Sequence, residues 1–308
     1  MLIDAQAHIF PRIWGLNATG PTRGGGYGRI RIGDNLLQLL PPFQEKTVFT
    51  VEMLIKHMDW AGVDKAILLQ GPFYGECNAY AAEAITQYPD RLIGAAYFDP
   101  WTSDSRQIFE QKLDLSCFRA MKLECSEATG LCGLHPQARL DAPDITWLWP
   151  ELEKLQKVLV LDLGAVGSRS YQTRAVRRIA ETHPDLRVVI AHLGQPTPVA
   201  EADAYLWQLW RDQISLGHLP NVWFDIAALP AYLPNEIYPY PSMERYLQLA
   251  FERIGPTKIL WGTDLPGLLS HATYQQLVQL AEYHTRSLTS AEQELMLGGN
   301  ASHIFSVY

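Results

Sequence analysis

The chain opens with the stretch Met1 to His8, MLIDAQAH, which runs into Ile9-Phe10-Pro11. An apolar start followed by two polar residues at positions i and i+2 is typical of a strand that ends at a site. Because side chains two residues apart on a strand point to the same face, Gln6 and His8 are expected to project together. Such a pair could hold a metal or a polar substrate, or it could simply face solvent where the strand ends.

Length and composition limit the classes of protein to which the chain can belong. Its 308 residues suit one large α/β barrel or two average domains, and 47% of them are hydrophobic. A net charge of −8 (25 basic against 33 acidic residues), without a basic run, argues against nucleic acid or an anionic membrane as partner. The four cysteines lack metal-binding spacing, and no apolar run suits a signal peptide or membrane span. We therefore expect a cytoplasmic protein.

Short apolar runs alternate with helical patterns along nearly the whole chain. Eight such runs are predicted strands, at residues 1–8, 65–70, 91–98, 119–124, 158–162, 186–192, 221–226 and 258–264. Their near-continuous apolar character indicates burial on both faces, as in parallel sheets. The pattern predicts an α/β fold, a single (β/α)8 TIM-like barrel over residues 1–308, with an open doubly wound sheet as the alternative. No glycine motif for binding phosphate follows the first strand.

A glycine-rich segment separates the first strand from the first helix. It covers about residues 11–46 and is predicted to be a long irregular loop. One interpretation is a lid or pocket wall for an anionic or aromatic substrate, with Arg12 and Trp14 binding it. Phe73 and Tyr74, in the loop after the second strand, are candidates for the same role. The alternative is a disordered or oligomer-contacting insert.

Polar residues stand at the carboxyl ends of nearly all the predicted strands, where barrel enzymes place their active sites. They are Gln6, His8, Gln70, Asp99, Lys122, Glu124, Asp162, His192, Asp225 and Asp264. Asp264 follows an apolar run, so its carboxylate needs a metal or a basic partner and could act as a general base. His192 could stabilise developing negative charge. Lys122, with Glu124 beside it, could bind a substrate carboxylate or instead form a salt bridge within the protein.

Five segments resemble the amidohydrolase superfamily, in particular its amidohydrolase-related branch. They appear in the family's order and span almost the entire chain: IDAQAHIF (3–10), YPDRLIG (88–94), AHLG (191–194), WGTDLP (261–266) and GGNA (298–301). The resemblance implies a barrel with one divalent metal, occasionally none. It also implies hydrolysis of lactones and amides, or non-oxidative decarboxylation of aromatic or unsaturated acids. The family often forms dimers, so a homodimer is one expected state.

The resemblance assigns family positions to individual residues. His8 matches the second histidine of the family's HxH motif, and His192 and Asp264 match the histidine and aspartate of strands six and eight. Gln6 and Asp162 stand where the family usually has histidine. A metal set of Gln6, His8, Asp162 and Asp264 would be rich in oxygen, which favours manganese or magnesium over zinc. A mechanism without metal is the other option.

These observations lead to one main hypothesis and two alternatives. The main hypothesis is a hydrolase of a small ester, lactone or amide, carboxylate-bearing or aromatic, that uses Asp264 and His192. The first alternative is a decarboxylase with the same site. The second is a barrel that has lost both metal and activity, which the residues Gln6 and Asp162 motivate.

Overall fold

The fold is built around a barrel of parallel strands. The computed structural model describes residues 1–111 and 113–307; Lys112 and Tyr308, part of the predicted domain, lie outside the described residues. Eight strands pair in parallel, in chain order: β1 (Ile3–Ala7), β6 (Lys65–Leu68), β7 (Leu92–Tyr97), β8 (Phe118–Glu124), β9 (Val158–Asp162), β10 (Val188–Ile190), β11 (Val222–Asp225) and β12 (Ile259–Leu260). The backbone N–H of Ala5 donates to Trp261 O, and that of Asp264 to Gln6 O, which joins the last strand to the first. The predicted (β/α)8 barrel is confirmed.

Helices follow the strands and cover the outside of the barrel. They are α1 (Val51–Ala61), α2 (Asn78–Gln87), α3 (Ser105–Gln111), α4 (Leu131–Leu134), α5 (Leu148–Lys154), α6 (Thr173–Thr182), α7 (Pro198–Ala202), α8 (Ala204–Ile214), α9 (Pro241–Ile254), α10 (Tyr274–His284), α11 (Ser290–Glu294) and α12 (Asn300–Ile304). In α1 the buried residues Val51, Leu54, Ile55 and Met58 repeat at helical spacing and face the core. None of the helices in residues 1–111 and 113–307 is both long and apolar enough to cross a membrane.

The core has two layers because each strand buries both of its faces. Small and branched side chains such as Ala5, Ile67 and Val160 fill one buried cluster. A larger cluster includes Leu54, Leu161 and side chains of the other helices. Burial on both faces explains why the strands are almost continuously apolar in sequence.

Strands β10 and β12 are among those that are shorter than their sequences predict. β10 ends at Ile190 and β12 at Leu260, although the apolar pattern extends to His192 and Asp264. His192 has a φ of 60° and Asp264 a φ of 63°, in the left-handed region that cannot continue a strand. Such backbone costs about 1–3 kcal/mol per residue and is found mostly at functional sites.

The segment predicted to be an irregular loop instead forms a four-stranded antiparallel meander. Its strands are β2 (Trp14–Asn17), β3 (Gly20–Gly26), β4 (Arg29–Ile32) and β5 (Asn35–Gln38), paired in chain order. The prediction of irregular structure was wrong because the segment's glycines serve the sheet. Gly26 and Gly28 take positive φ at the β3–β4 turn, and a Cβ on Gly15 would lie 2.3 Å from Pro72 O.

The meander is attached to the barrel rim. The backbone N–H groups of Trp14 and Leu16 donate to Tyr74 O and Pro72 O, in the loop after β6. Ile30 and Ile32 of β4 are buried. Its inner face therefore belongs to the main core, and the alternative of a disordered insert does not describe this segment.

Candidate active site

A buried aspartate locks the first strand to the segment after the last one. Asp4 Oδ1 accepts hydrogen bonds from the backbone N–H groups of Gln6 (3.1 Å) and Thr263 (2.9 Å). Its Oδ2 accepts from the hydroxyls of Thr263 (2.5 Å) and Tyr274 (2.7 Å). Burial raises the pKa of Asp4 to about 6, although these four donors oppose the rise. These four hydrogen bonds fix the position of Gln6 relative to Asp264, the residue after Thr263.

Asp264 is the centre of a cluster with Gln6 and His8. Its Oδ1 accepts from Gln6 Nε2 at 2.8 Å and lies 2.9 Å from His8 Nε2. His8 Nδ1 lies 2.8 Å from the carbonyl oxygen of Leu69, which cannot donate, so Nδ1 carries the proton there. Burial lowers the pKa of His8, against the opposing effect of Asp264. With the Nδ1 proton directed at Leu69 O, a hydrogen bond between His8 Nε2 and Asp264 Oδ1 needs one further proton on one of these two atoms.

The second oxygen of Asp264 is available to a ligand. Oδ2 has no hydrogen-bond partner among residues 1–111 and 113–307, and the side chain is about one quarter exposed. Burial alone would raise the pKa of Asp264, but the hydrogen bond from His8 and the charges of His8, His192 and Lys122 bring it below its usual range. Asp264 is therefore a carboxylate with one oxygen free to accept a proton from water.

His192 forms a second histidine–aspartate pair. Its Nε2 lies 3.4 Å from Asp162 Oδ2, and its Nδ1 donates to Ala227 O at 3.0 Å. Asp225 Oδ1 accepts from the backbone N–H of His192 at 3.0 Å, which holds the turn. Burial disfavours the imidazolium, but the charge and hydrogen bond of Asp162 outweigh it, with smaller contributions from Asp264 and Asp225, and raise the pKa of His192 to about 9. His192 is a cation at neutral pH.

The structure places Asp162 beside His192 and not in contact with His8. Asp162 Oδ1 accepts from Gly164 N at 2.9 Å and from Gln195 Nε2 at 3.3 Å. Burial raises the pKa of Asp162, yet the charge of His192 brings it below the ordinary value. Asp162 is thus an ionised partner of His192.

Lys122 is a buried cation without a partner. Its side chain is 3% exposed, and it forms no hydrogen bond or ion pair within the described part of the chain. Its charge nevertheless acts on the pKa of five neighbouring groups: His8, Glu124, Asp162, Asp225 and Asp264. The expected internal salt bridge to Glu124, Asp99 or Asp162 is not formed. An unpaired buried ammonium is costly, which indicates an anionic ligand.

Glu124 lies in the same pocket but is held differently. Its Oε1 accepts from Thr129 Oγ1 at 2.8 Å, and a Cβ placed on Gly71 would lie 2.3 Å from its Oε2. Burial raises the pKa of Glu124 to about 7, despite the nearby charge of Lys122. At neutral pH this carboxyl can therefore donate a proton as well as accept one.

Aromatic side chains pack around the two histidines of the site. Tyr74 stacks on Phe10 with ring centroids 4.6 Å apart, and its ring lies 5.1 Å from that of His8. Phe73 packs edge-on against Tyr74 at 5.1 Å. Tyr232 packs edge-on against His192 at 5.8 Å. Burial raises the pKa of Tyr74 and of Tyr232 well above the usual range, so both hydroxyls stay neutral.

Arg12 and Trp14 contact each other at the start of the meander, where Trp14 also contacts Arg23, and the backbone N–H of Trp14 donates to Tyr74 O. Trp14 is 61% exposed and lies beneath the guanidinium of Arg23, 3.9 Å from the ring centroid, with that of Arg12 at 5.5 Å. No hydrogen bond, ion pair or ring contact among the described residues joins either side chain to Asp264, His192 or Lys122. Their role in substrate binding stays a prediction.

Sequence reasoning gave no role to two groups of the pocket. Asp225 ends β11, and this position was visible in the sequence. Its role, which is to hold the turn at His192, depends on contacts between strands. Tyr232 lies in a loop rich in proline and tyrosine, where nothing in the sequence distinguishes it from its neighbours.

The donor set does not fit the metal that the family implies. His8 Nε2 and the Gln6 amide nitrogen both face the same Asp264 oxygen, and an amide is a poor zinc ligand beside imidazole. Within residues 1–111 and 113–307, no three His, Cys, Asp or Glu side chains are grouped as a metal site. Asp264 Oδ1 is taken up by these two contacts, and Gln6 Oε1 is buried without a partner within the described residues, so a metal bound here would require these side chains to rearrange.

The fold and the rim of acids and histidines define an amidohydrolase-type barrel. The family model described as amidohydrolase, Amidohydro_2, matches residues 3–307, so the chain belongs to this family. The resemblance predicted from the five sequence segments is confirmed. No match was found among curated proteins.

Solved structures share the fold at low sequence identity. An amidohydrolase from Burkholderia multivorans with bound zinc is 18% identical, with a TM-score of 0.71 and both chains fully covered. A probable 2-pyrone-4,6-dicarboxylic acid hydrolase from Acinetobacter baumannii, with citric acid bound, is 21% identical at 0.66, with 99% of each chain covered. The 2,6-dihydroxybenzoate decarboxylase from Rhizobium is 17% identical at 0.57, over 83% of this chain and 88% of that one. Similar folds thus include hydrolases and a decarboxylase.

Proposed function

We propose that the protein hydrolyses a small carboxylate-bearing lactone, ester or amide by means of water activated at Asp264. Lys122 carries this proposal, because a cation that is buried and unpaired needs an anionic partner. The substrate carboxylate would supply that partner. The proposal is also consistent with the name of the dicarboxylic acid hydrolase that shares the fold.

The protonation states of the two pairs assign the catalytic roles. Asp264 Oδ2 accepts a proton from water as the water oxygen attacks the substrate carbonyl carbon. The imidazolium of His192 stabilises the oxyanion that forms. When the tetrahedral intermediate collapses, the bond to the leaving oxygen or nitrogen breaks. Asp264 then returns its proton to the leaving group, which restores the starting state.

Paired substrates test the role of Lys122. Lys122→Met should raise KM for a carboxylate-bearing lactone about 30-fold or more, because a buried charge loses its partner. The same variant should change KM little for the neutral methyl ester of that substrate, which serves as the matched control. Lys122→Arg should recover part of the loss. Equal effects on both substrates would show that Lys122 does not bind the carboxylate.

A decarboxylase is the second candidate, and Glu124 is the observation that favours it. Decarboxylation leaves a carbanion that must gain a proton, and Glu124, with its pKa raised to about 7 by burial, can donate one. Lys122 and Glu124 are two residues apart on β8, so the cation lies near this acid. Product analysis separates the two reactions: release of CO₂ from an aromatic or unsaturated acid supports the decarboxylase, and a ring-opened or cleaved acid supports the hydrolase.

The non-catalytic barrel makes a different prediction. A panel of carboxylate-bearing lactones, esters, amides and aromatic acids would then show no turnover that depends on Asp264. If Asp264→Asn leaves every detected turnover unchanged, both enzymatic proposals for this site fail.

A further inference from the structure

The meander formed by β2 to β5 has an outer face whose charge is opposite to that of the rest of the chain. Residues 11–46 contain five basic and two acidic residues, against twenty basic and thirty-one acidic residues elsewhere. The net charge of −8, which argued against an anionic membrane as partner, therefore includes this segment, whose own net charge is +3. Net charge alone does not describe the local field of a surface.

The register of the meander places the basic residues on one side. Trp14, Arg23, Arg31 and Leu36 are successive cross-strand partners, so their side chains share a face. Arg29 lies two residues before Arg31 and joins them, whereas Ile30 and Ile32 alternate inward and are buried. We call this surface, made of Trp14, Arg23, Arg29, Arg31 and Leu36, the basic face.

The arginines of the basic face are not neutralised by the protein. No ion pair in the described chain includes Arg23, Arg29 or Arg31, nor Arg12 beside Trp14. Arg23 and Arg29 donate only to backbone carbonyls, those of Gly15, Thr22 and Gly26. By contrast, Arg91, Arg106, Arg139, Arg169, Arg245 and Arg286 all have carboxylate partners.

Exposed apolar side chains are concentrated in the same segment. In the described residues, six of fourteen exposed large hydrophobic side chains fall between residues 14 and 43, about a tenth of the chain: Trp14, Leu16, Tyr27, Leu36, Leu37 and Phe43. They lie on the sheet, at a turn and beyond the β5 edge. Arginines combined with tryptophan and leucine are typical of surfaces that bind an anionic lipid interface.

We propose that the basic face docks on an anionic phospholipid surface. The headgroups would pair with the guanidinium groups that have no carboxylate partner, and the exposed apolar side chains of the same face, Trp14, Leu16 and Leu36, would enter the interfacial region. A second copy related by a twofold axis is disfavoured, because it would bring arginines against arginines. A single-stranded nucleic acid is disfavoured because the Arg23 guanidinium already lies 3.9 Å over the Trp14 ring, where a base would stack.

Vesicle sedimentation with the full chain tests the proposal. The protein should bind phosphatidylcholine vesicles that contain phosphatidylserine, but not pure phosphatidylcholine, and high salt should release it. Arg29→Gln with Arg31→Gln should lower the partition coefficient about 25-fold, at about fivefold for each charge removed. The matched control is Arg119→Gln with Arg174→Gln, which removes two arginines without ion pairs from elsewhere on the surface and should leave binding unchanged.

Several outcomes would overturn the proposal. They are absence of binding to anionic vesicles, equal binding to neutral vesicles, and equal loss in the control variant. Tighter binding to a single-stranded oligonucleotide than to vesicles of the same charge would also contradict it. So would a dimer in sedimentation velocity that dissociates in Arg29→Gln/Arg31→Gln without any vesicle binding. Circular dichroism of each variant distinguishes loss of the binding surface from loss of the folded structure.

Discussion

The pocket contains two histidine–aspartate pairs that carry their protons differently. His8 and Asp264 meet at 2.9 Å where β1 adjoins the segment after β12, and burial lowers the pKa of His8. His192, in the turn after β10, and Asp162, at the end of the neighbouring strand β9, meet at 3.4 Å, and the pKa of His192 rises to about 9. The same two residue types thus form an ionised carboxylate beside a histidine of lowered pKa at one place and a histidine of raised pKa at the other.

The neighbours of each pair explain the difference. At Asp264, Gln6 Nε2 donates to Oδ1 beside His8, and the charges of His192 and Lys122 also lower the pKa of the carboxyl. At His192, Asp264 and Asp225 add negative charge to that of Asp162 and stabilise the imidazolium. The comparison teaches that each pair takes its role from the groups around it, not from its own residue types.

The largest effect is expected when the base of the first pair is removed. Asp264→Asn should lower kcat about 10³-fold, because the amide cannot accept a proton from water. The matched control is Glu153→Gln, which removes the carboxylate of another histidine–carboxylate contact, that of Glu153 with His183 at 3.2 Å, where neither residue contacts Asp264, His192 or Lys122. Activity of this control should stay within about twofold of wild type. Steady-state kinetics on the best substrate of the panel measure both, and equal rates for Asp264→Asn and wild type would contradict the assignment.

Removal of the cation of the second pair should have the next largest effect. His192→Gln retains a hydrogen-bond donor but loses the charge, and kcat should fall about 10²-fold. KM should change little, since His192 is assigned to the oxyanion and not to the ground state of the substrate. A change confined to KM would assign His192 to substrate binding instead.

Asp162→Asn should shift the pH profile of kcat/KM more than it lowers kcat. In the wild type, kcat/KM should fall as pH rises through about 9, where His192 loses its proton. Without the charge of Asp162, this upper limb should move down toward the ordinary histidine pKa of about 6.5. The measurement is kcat/KM between pH 5 and 10 for both proteins. If kcat/KM falls at the same high pH in both, that fall does not report the deprotonation of His192.

The smallest effect is expected from removal of metal. Because Gln6 and His8 both face Asp264 Oδ1, dialysis against a chelator should leave turnover within about twofold. Metal analysis of the dialysed protein provides the control. A loss of activity that zinc or manganese restores would show that the site rearranges around a metal, as the family resemblance implies.

The barrel could be predicted because burial on both strand faces leaves continuous apolar runs in the sequence. The meander could not, because its glycines at turns and close contacts resemble those of a loop, and only β4, with Arg-Ile-Arg-Ile, alternates clearly. In the pocket, Asp264 and His192 were identifiable as strand-end groups. The family positions grouped Gln6 and His8 with Asp264, but the pairing of Asp162 with His192 could not be predicted, since it depends on strand register and on the left-handed backbone at His192.

The absence of a salt bridge at Lys122 was equally invisible in the sequence. Glu124, two residues along the same strand, offered an obvious partner, yet its Oε1 is held by Thr129 and its Oε2 lies against Gly71. The pairing of charges in a pocket depends on side-chain direction, which spacing along a chain does not determine.

A titration of the histidine rings by NMR tests the central claim most directly, because it needs no substrate. With ¹⁵N-labelled histidine, the ring of His192, assigned by its loss in His192→Gln, should stay doubly protonated up to about pH 9. The ring of His8 should show no second full proton at neutral pH. The contradicting result is a His192 ring that deprotonates near pH 6.5, since the site would then lack the imidazolium that the proposed hydrolysis assigns to the oxyanion.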